Sequence, residues 1–393
     1  MLDEKISWTY AEEIYAKLER TQWLNKPEIY DSKGSLKRYA CETNDLIDFL
    51  YNLSHGHGFE THYTDMFSSI EKDISYRYLQ ALTILEVLGL NSIPVRIFST
   101  LLKNDRTKFN YREFFNRFEE ILVMEQNRIK VRCLRLIQNT VVNGTNEENI
   151  KDILAEVARQ TSGQFNEGDI NEWTEIFQRS LTVKRILREK MLSVSNIREL
   201  LNEVEKYGKK YSFYWIQRGI AAQKEKDFDL ADHYFREGVR IRPSSYQARH
   251  AMAKNLMERA IEQIEKGYDT YASHYMDEGL KDIKSIIDNP AYSRGYKYSL
   301  HALIDMSIKY HEAISKKIDI NDIEYIKDRI LDLPKRELDS YIINAIEQYV
   351  VYCQKHNYKK CCEEIIEKHY DKIINIMQVI EDDYLIENLD WEY

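Results

Sequence analysis

The sequence predicts an all-α protein with one short β-hairpin and a solenoid of helical hairpins toward its C-terminus. Three observations predict this. Glycine (13) and proline (5) are scarce in 393 residues, well below the usual ~7% and ~5%. Apolar residues recur at three- and four-residue spacing among 31% charged residues, the period of amphipathic helices. One stretch, 212–245, also fits a helical-repeat template of about 34 residues.

Bulk properties exclude several function classes. The net charge of -9 provides no global field for nucleic acid, although a local basic patch is compatible with it. The longest apolar runs, such as "ALTILEVLGL" at 81–90, fall short of the ~20 residues of a membrane helix. "MLDEKISWTY" has no basic region followed by an apolar one, so no signal peptide and a cytoplasmic location are expected. The five cysteines (Cys41, Cys133, Cys353, Cys361, Cys362) are odd in number and fit a reducing compartment.

Residues 1–73 read as a helical region. In "SWTYAEEIYAKLERTQWL", Ile14, Leu18 and Trp23 share a stripe. "SLKRYACETNDLIDFLYNLSHG" has Ser35 as its cap and Leu46, Phe49, Leu50 and Leu53 on the inner face, and Gly56 and Gly58 stop it. "FETHYTDMFSSIEKDI" begins the next helix.

Residues 74–145 have another texture. "ISYRYLQALTILEVLGL" is a helix ended near Gly89, "SIPVRIFSTLL" follows with Pro94 in its first turn, and "NYREFFNRFEEIL" is a third. In "LVMEQNRIKVRC", β-branched and polar residues alternate around Glu125-Gln126-Asn127, the pattern of a hairpin. Three helices and a hairpin in this span form a winged-helix plan, closed by "LRLIQNTVVNG". Residues 146–205 read as a helical connector, with "SGQFNEGD" at 162–169 as its most loop-like piece.

Residues 206–290 carry the repeats. In "SFYWIQRGIAAQKEKDFDLADHYFREGVRIRPSS", Trp215 and Gly219 sit on the first helix, Phe228, Ala231, Phe235 and Gly238 on the second, and Pro243 stops it. This is the tetratricopeptide pattern, with small residues for close helix approach and aromatics to fill the gap. Arg218 stands where the template prefers leucine, and Ala222 where it prefers tyrosine. One repeat cannot bury its own face, and 246–290 reads as a longer second one. In the region 291–393, Tyr352, Tyr358, Cys361 and Ile365 repeat the rhythm of Ala222, Phe228, Ala231 and Phe235. The tail Glu381–Tyr393 holds six acids and no base. The fold class is therefore all-α: helical segments, a winged-helix module with one short β-hairpin, and a tetratricopeptide-like α-solenoid.

The order of parts over about residues 8–290, from "AEEIYAKLERTQWL" through "SLKRYACETNDLIDFLYNLSHGHGF" and "RCLRLIQNTV" to the repeat helices, resembles the C-terminal half of STAND-type P-loop ATPases. It is similar in particular to bacterial antiviral, NLR-like members. The resemblance implies that 1–73 is lid-like, with a Gly-x-Gly-Phe turn in which Phe59 packs inward. It also implies a winged helix that transmits conformational change and a superhelix that recognises protein. The sequence departs from that family in having no G-x-x-x-x-G-K-[ST] string, the loop that cradles phosphates. Nucleotide hydrolysis is therefore not carried over, and no cofactor is expected.

Three constellations invite chemistry, and each has a plainer structural reading. His55, His57 and His62 can ligate zinc, but His55 and His57 are two apart in a helix-ending turn. Cys353, His356, Cys361, Cys362 and His369 offer metal ligands, while Cys361 also occupies the small-residue position of a helical hairpin. Arg294 and His301 have the loose spacing of a HEPN-like ribonuclease, an alternative function in which arginine stabilises a phosphorane and histidine moves a proton. No Gly-x-Ser-x-Gly elbow exists. No metal site and no enzyme activity are expected.

The functional surface expected from the template is the groove lined by first helices: Phe213, Ile216, Ile220, Gln223 and Lys224, then Gln247, His250 and Lys254. These residues are predicted to hold a protein partner, whether an effector, an ATPase subunit or a phage protein, with oligomers possible. The function expected is a non-catalytic sensor or adaptor of a bacterial antiphage defence system. A second alternative is a winged-helix DNA-binding regulator using Arg112, Arg117, Arg128, Lys130 and Arg132. Phe114, Phe115 and Phe118 claim much of the same helix for burial and acids offset its charge, so nucleic acid is disfavoured.

Overall fold

The computed structural model describes residues 74–369 apart from 103–108, 120, 133, 135–137, 139–140, 143–144 and 167–170. The lid-like helices, the His55/His57/His62 cluster, most of "LRLIQNTVVNG" and the acidic tail lie outside the described residues. Among the described residues the fold is all-α with one small sheet, and it divides into two compact units. One lies within Met1–Phe165, Ile170–Ser180 and Glu189–Ser193; the other lies within Asn166–Asp169, Leu181–Arg188 and Val194–Tyr393.

In the first unit, α1 (Ile74–Val87) is buried almost throughout, and Gly89, at φ +94°, lets the chain leave it. Then come β1 (Ile93–Pro94), α2 (Val95–Phe98) and α3 (Tyr111–Arg117), followed by β2 (Leu122–Glu125) and β3 (Arg128–Val131). Asn110 caps α3, its side chain accepting from the backbone N–H groups of Arg112 and Glu113. The predicted hairpin is present, with Leu122 opposite Val131 and Glu125 opposite Arg128. Gln126 and Asn127 form its turn with φ of 50° and 62°, the positive values that a two-residue type I′ loop requires.

A third strand joins the hairpin, giving the antiparallel order β1-β3-β2. Pro94 is extended (ψ 134°) and precedes α2 rather than sitting in a first helical turn. It pairs with Arg128 at the sheet edge, where a residue without N–H is tolerated. Tyr78, Phe98, Phe109, Phe114 and Phe118 form one aromatic cluster: Tyr78 stacks on Phe109 at 3.7 Å, and Phe114 lies 5.3 Å from Phe98 and 5.2 Å from Phe118. This cluster fixes the inner face of α3. Glu86 ties α1 to the sheet by accepting the Val131 N–H at 2.7 Å. Then α4 (Glu147–Ser162), capped by Asn146, leads to α5 (Glu172–Leu181).

The second unit begins with α6 (Val183–Arg188), α7 (Val194–Glu203) and α8 (Glu205–Gly208). Among the described residues, four helical hairpins follow. The first pairs α9 (Ser212–Lys224) with α10 (Phe228–Ile241), and the second pairs α11 (Tyr246–Glu265) with α12 (Asp269–Ile287). The third joins α13 (Tyr296–Ala313) to α14 (Ile320–Leu331), and the fourth joins α15 (Ser340–Lys355) to a helix α16 over 359–369.

The template residues behave mechanically as their spacing implies. A Cβ on Gly219 would lie 2.3 Å from the Phe235 ring, and one on Gly279 would lie 2.5 Å from Met257. Both hairpins close at glycine. Ala231 and Phe235 are fully buried. Tyr352, Cys361 and Ile365 are buried in the last hairpin. One core runs from Ala253 to Ile365, and a smaller one gathers Ile216, Ala222, Ala231, Phe235 and Ala248.

Candidate functional site

First helices of successive hairpins lie side by side: α9 against α11, α11 against α13, and α13 against α15. Each junction carries a polar or stacked side-chain link. Gln223 donates to Asn255 Oδ1 at 3.3 Å, and Asn255 donates to the Phe228 carbonyl at 3.0 Å. His250 Nδ1 lies 3.2 Å from Ser299 Oγ. The His301 ring stacks on Tyr341 at 4.0 Å and 5°. These links join neighbouring first helices into one row.

The structure disperses the predicted groove residues over several roles. Ile216 is buried in the hairpin core, with Ile220 packed against the same core. Phe213 is half-buried, and Lys224 and Gln247 are exposed. Gln223 and His250 serve as links between helices. Lys254 pairs with Glu258 on its own helix at 3.4 Å. The row of first helices continues into α13 and α15, whose exposed side chains lie outside the groove expected from the template. Tyr298 is 43% exposed and Val351 57%, and Tyr341, Asn344, Gln348 and Val351 form one stripe at three- and four-residue spacing. That stripe was the available signal, but it lay beyond the recognised repeat.

Electrostatics on this face favour neutral imidazoles. Burial, with Lys254, Lys184 and His301 nearby, pushes His250 down to about 3. Burial also lowers His301 to about 4, against the opposing pull of Asp305. Neither imidazole holds a proton near neutrality, so neither is poised as a general acid there. Ser299, beside His250, is fully buried. Arg294 lies in the 3-10 segment Pro290–Gly295 that precedes α13.

The cysteine–histidine set does not gather around one point. Cys353, Cys361 and Cys362 are buried together, while His369 Nε2 faces the Ile330 carbonyl at 3.2 Å. Among the described residues, no group of three or more metal-ligating side chains converges. No helix among them is long and apolar enough to cross a membrane.

The basic residues of the first unit also separate. Arg112 and Arg117 are exposed on α3. Arg128 is committed, donating from Nε to Ser92 Oγ at 2.7 Å and pairing with Glu172. Lys130 pairs with Glu125 at 3.2 Å, and Arg132 reaches the Glu119 and Leu122 carbonyls at 3.5 Å.

The chain matches no protein-family model and no curated protein. Among solved structures it is similar to a signal transduction ATPase with numerous domains, a STAND protein with a tetratricopeptide repeat sensor, from Pyrococcus horikoshii. That likeness has 14% identity and a TM-score of 0.27, over 94% of this chain and 57% of the other. It is also similar to a circular tandem repeat protein of novel repeat topology, at 12% identity and a TM-score of 0.23, over 96% of this chain and 99% of the other. The chain thus spans little more than half the length of the STAND protein. Likenesses this loose carry no argument about site or activity.

Proposed function

We propose that the chain is a non-catalytic protein-recognition subunit whose binding surface is the open side of α9, α11, α13 and α15. One observation carries the reading: adjacent first helices are joined by Gln223–Asn255, His250–Ser299 and His301–Tyr341. A surface already ordered loses little conformational entropy when a partner docks. On it, Lys224, Gln247, Tyr298 and Val351 offer a mixture of charge, amide, aromatic and aliphatic contact, which suits a helical or extended segment of another protein.

In its finer form the proposal is a sensor or adaptor arm of a bacterial antiphage defence system, acting in the cytoplasm on an effector, an ATPase subunit or a phage protein. The resemblance of residues 8–290 to the C-terminal half of STAND-type ATPases supports it. The test is affinity capture from infected and uninfected cells, comparing the wild type with a Lys224→Glu, Tyr298→Ala, Val351→Asp variant. The expected result is a stable partner that the variant loses while keeping its helical content. Recovery of no partner from either kind of cell, or equal recovery by the variant, sinks the reading.

A second reading rests on the exposure of Arg112 and Arg117 on α3. Under it, the first unit holds DNA through phosphate contacts. Changing both arginines to glutamate would then abolish DNA retention at low salt. Absence of retention by the wild type at low salt removes this reading.

A further inference from the structure

We propose that Cys353 and Cys361 form an oxidative modification site, where a peroxide-class oxidant closes an intrachain disulfide that staples α15 to α16. This proposal is independent of the groove. The two Sγ atoms lie 3.9 Å apart on the two helices of the last hairpin. Cys362, though adjacent in sequence, directs its thiol to the Val350 carbonyl at 3.6 Å. Closing the gap to a ~2 Å S–S bond requires side-chain rotation of both partners.

The hydrogen bonds assign unequal roles to the two sulfurs. The Tyr349 hydroxyl donates to the Ile323 carbonyl at 2.6 Å. At its 3.6 Å contact with Cys361 the tyrosine oxygen therefore accepts, and the Cys361 thiol donates. The Cys353 thiol donates to the Cys361 sulfur. When Cys361 loses its proton, the Cys353 S–H remains in place to stabilise the thiolate. Cys361 is accordingly held below the usual thiol range by that bond, and Cys353 is pushed up by the same bond and by burial. Cys361 is the attacking sulfur and Cys353 the resolving one.

The chemistry balances with hydrogen peroxide as oxidant. The Cys361 thiolate attacks one peroxide oxygen and the O–O bond breaks. Hydroxide leaves and takes up a proton as water, and Cys361 becomes a sulfenic acid. Cys353 then gives up its proton and attacks the Cys361 sulfur. The S–S bond forms, the S–O bond breaks, and the departing hydroxide takes the Cys353 proton as a second water. Two thiols are oxidised and one peroxide is reduced. Both sulfurs are buried, so the reaction runs at the rate at which the terminal hairpin opens.

Sequence makes the test direct. Lys355, Lys359 and Lys360 lie between the two cysteines, so trypsin separates them unless a disulfide joins the pieces. The full chain is treated with hydrogen peroxide, blocked and mapped without reductant. The expected result is a linked peptide that dithiothreitol releases, retained in Cys362→Ser and lost in Cys361→Ser. In Cys353→Ser, dimedone should trap a sulfenic acid on Cys361. The oxidised chain should melt at a higher temperature, and reduction should reverse the gain. The proposal is overturned if no linked peptide forms at a peroxide level that converts the exposed Met124 to its sulfoxide. Linkage that runs instead through Cys362 also overturns it.

Discussion

Glu86 shows how one buried carboxyl can make a whole unit sensitive to pH. Burial raises it from 4.5 to about 8, against the Val131 N–H bond and the nearby Lys130, which pull it down. Below pH 4.5 the group is protonated in both folded and unfolded chains and has no net effect. Between 4.5 and 8 the folded chain keeps a proton that the unfolded chain releases. Stability therefore falls as pH rises, with a slope approaching about 1.4 kcal/mol per pH unit. Above 8 the loss is complete and constant. The melting temperature of the wild type should drop from pH 5 to pH 8. Glu86→Gln, which keeps a carbonyl acceptor for Val131, should flatten that profile. Equal slopes in the two proteins would remove Glu86 as the cause.

At the scale of elements, glycine separates packing from backbone freedom. Gly219 sits where a Cβ would meet the fully buried Phe235 ring at 2.3 Å, whereas Gly163, ending α4, has open space around it. Gly219→Ala should destabilise the first hairpin by about 1–3 kcal/mol through overpacking. Gly163→Ala should be neutral or stabilising by up to ~1 kcal/mol, because only the unfolded chain loses freedom. Chemical denaturation of both variants checks the contrast, and similar losses for the two would show that helix approach is not what Gly219 serves. The same hairpin shows why one template departure was not explained by the sequence. Arg218, in place of leucine, bonds Glu205 at 3.0 Å, Asn202 at 2.8 Å and Tyr234 at 3.0 Å. It fastens α7, α8 and α10 to α9, and such a polar hub is invisible until distant helices are placed around it.

At the scale of the molecule, legibility followed how local each feature was. Helical periodicity, the β2–β3 hairpin and the closely packed glycine at 219 depend on near neighbours and were readable. The strand at Ile93–Pro94 was not, because two residues become a strand only when β3 offers an edge. Beyond 290 the tetratricopeptide rhythm returns only at Tyr352, Tyr358, Cys361 and Ile365, too little to mark first helices there, so Tyr298, Tyr341 and Val351 did not stand out as part of a candidate surface. Their helices are held by a core that runs continuously from Ala253 to Ile365, apart from the smaller core around Ile216 and Phe235. In a repeat array, stability is the sum of each hairpin and its neighbour interfaces. Tyr349 is fully buried in the large core and donates to the Ile323 carbonyl, so Tyr349→Ala should cost about 3–5 kcal/mol there. Hydrogen exchange should then show protection falling across α13–α16, less in α11 and α12, and least in α9 and α10. A uniform loss of protection through all four hairpins would mean that the array unfolds as a single unit, and the two cores would not be separate elements of stability.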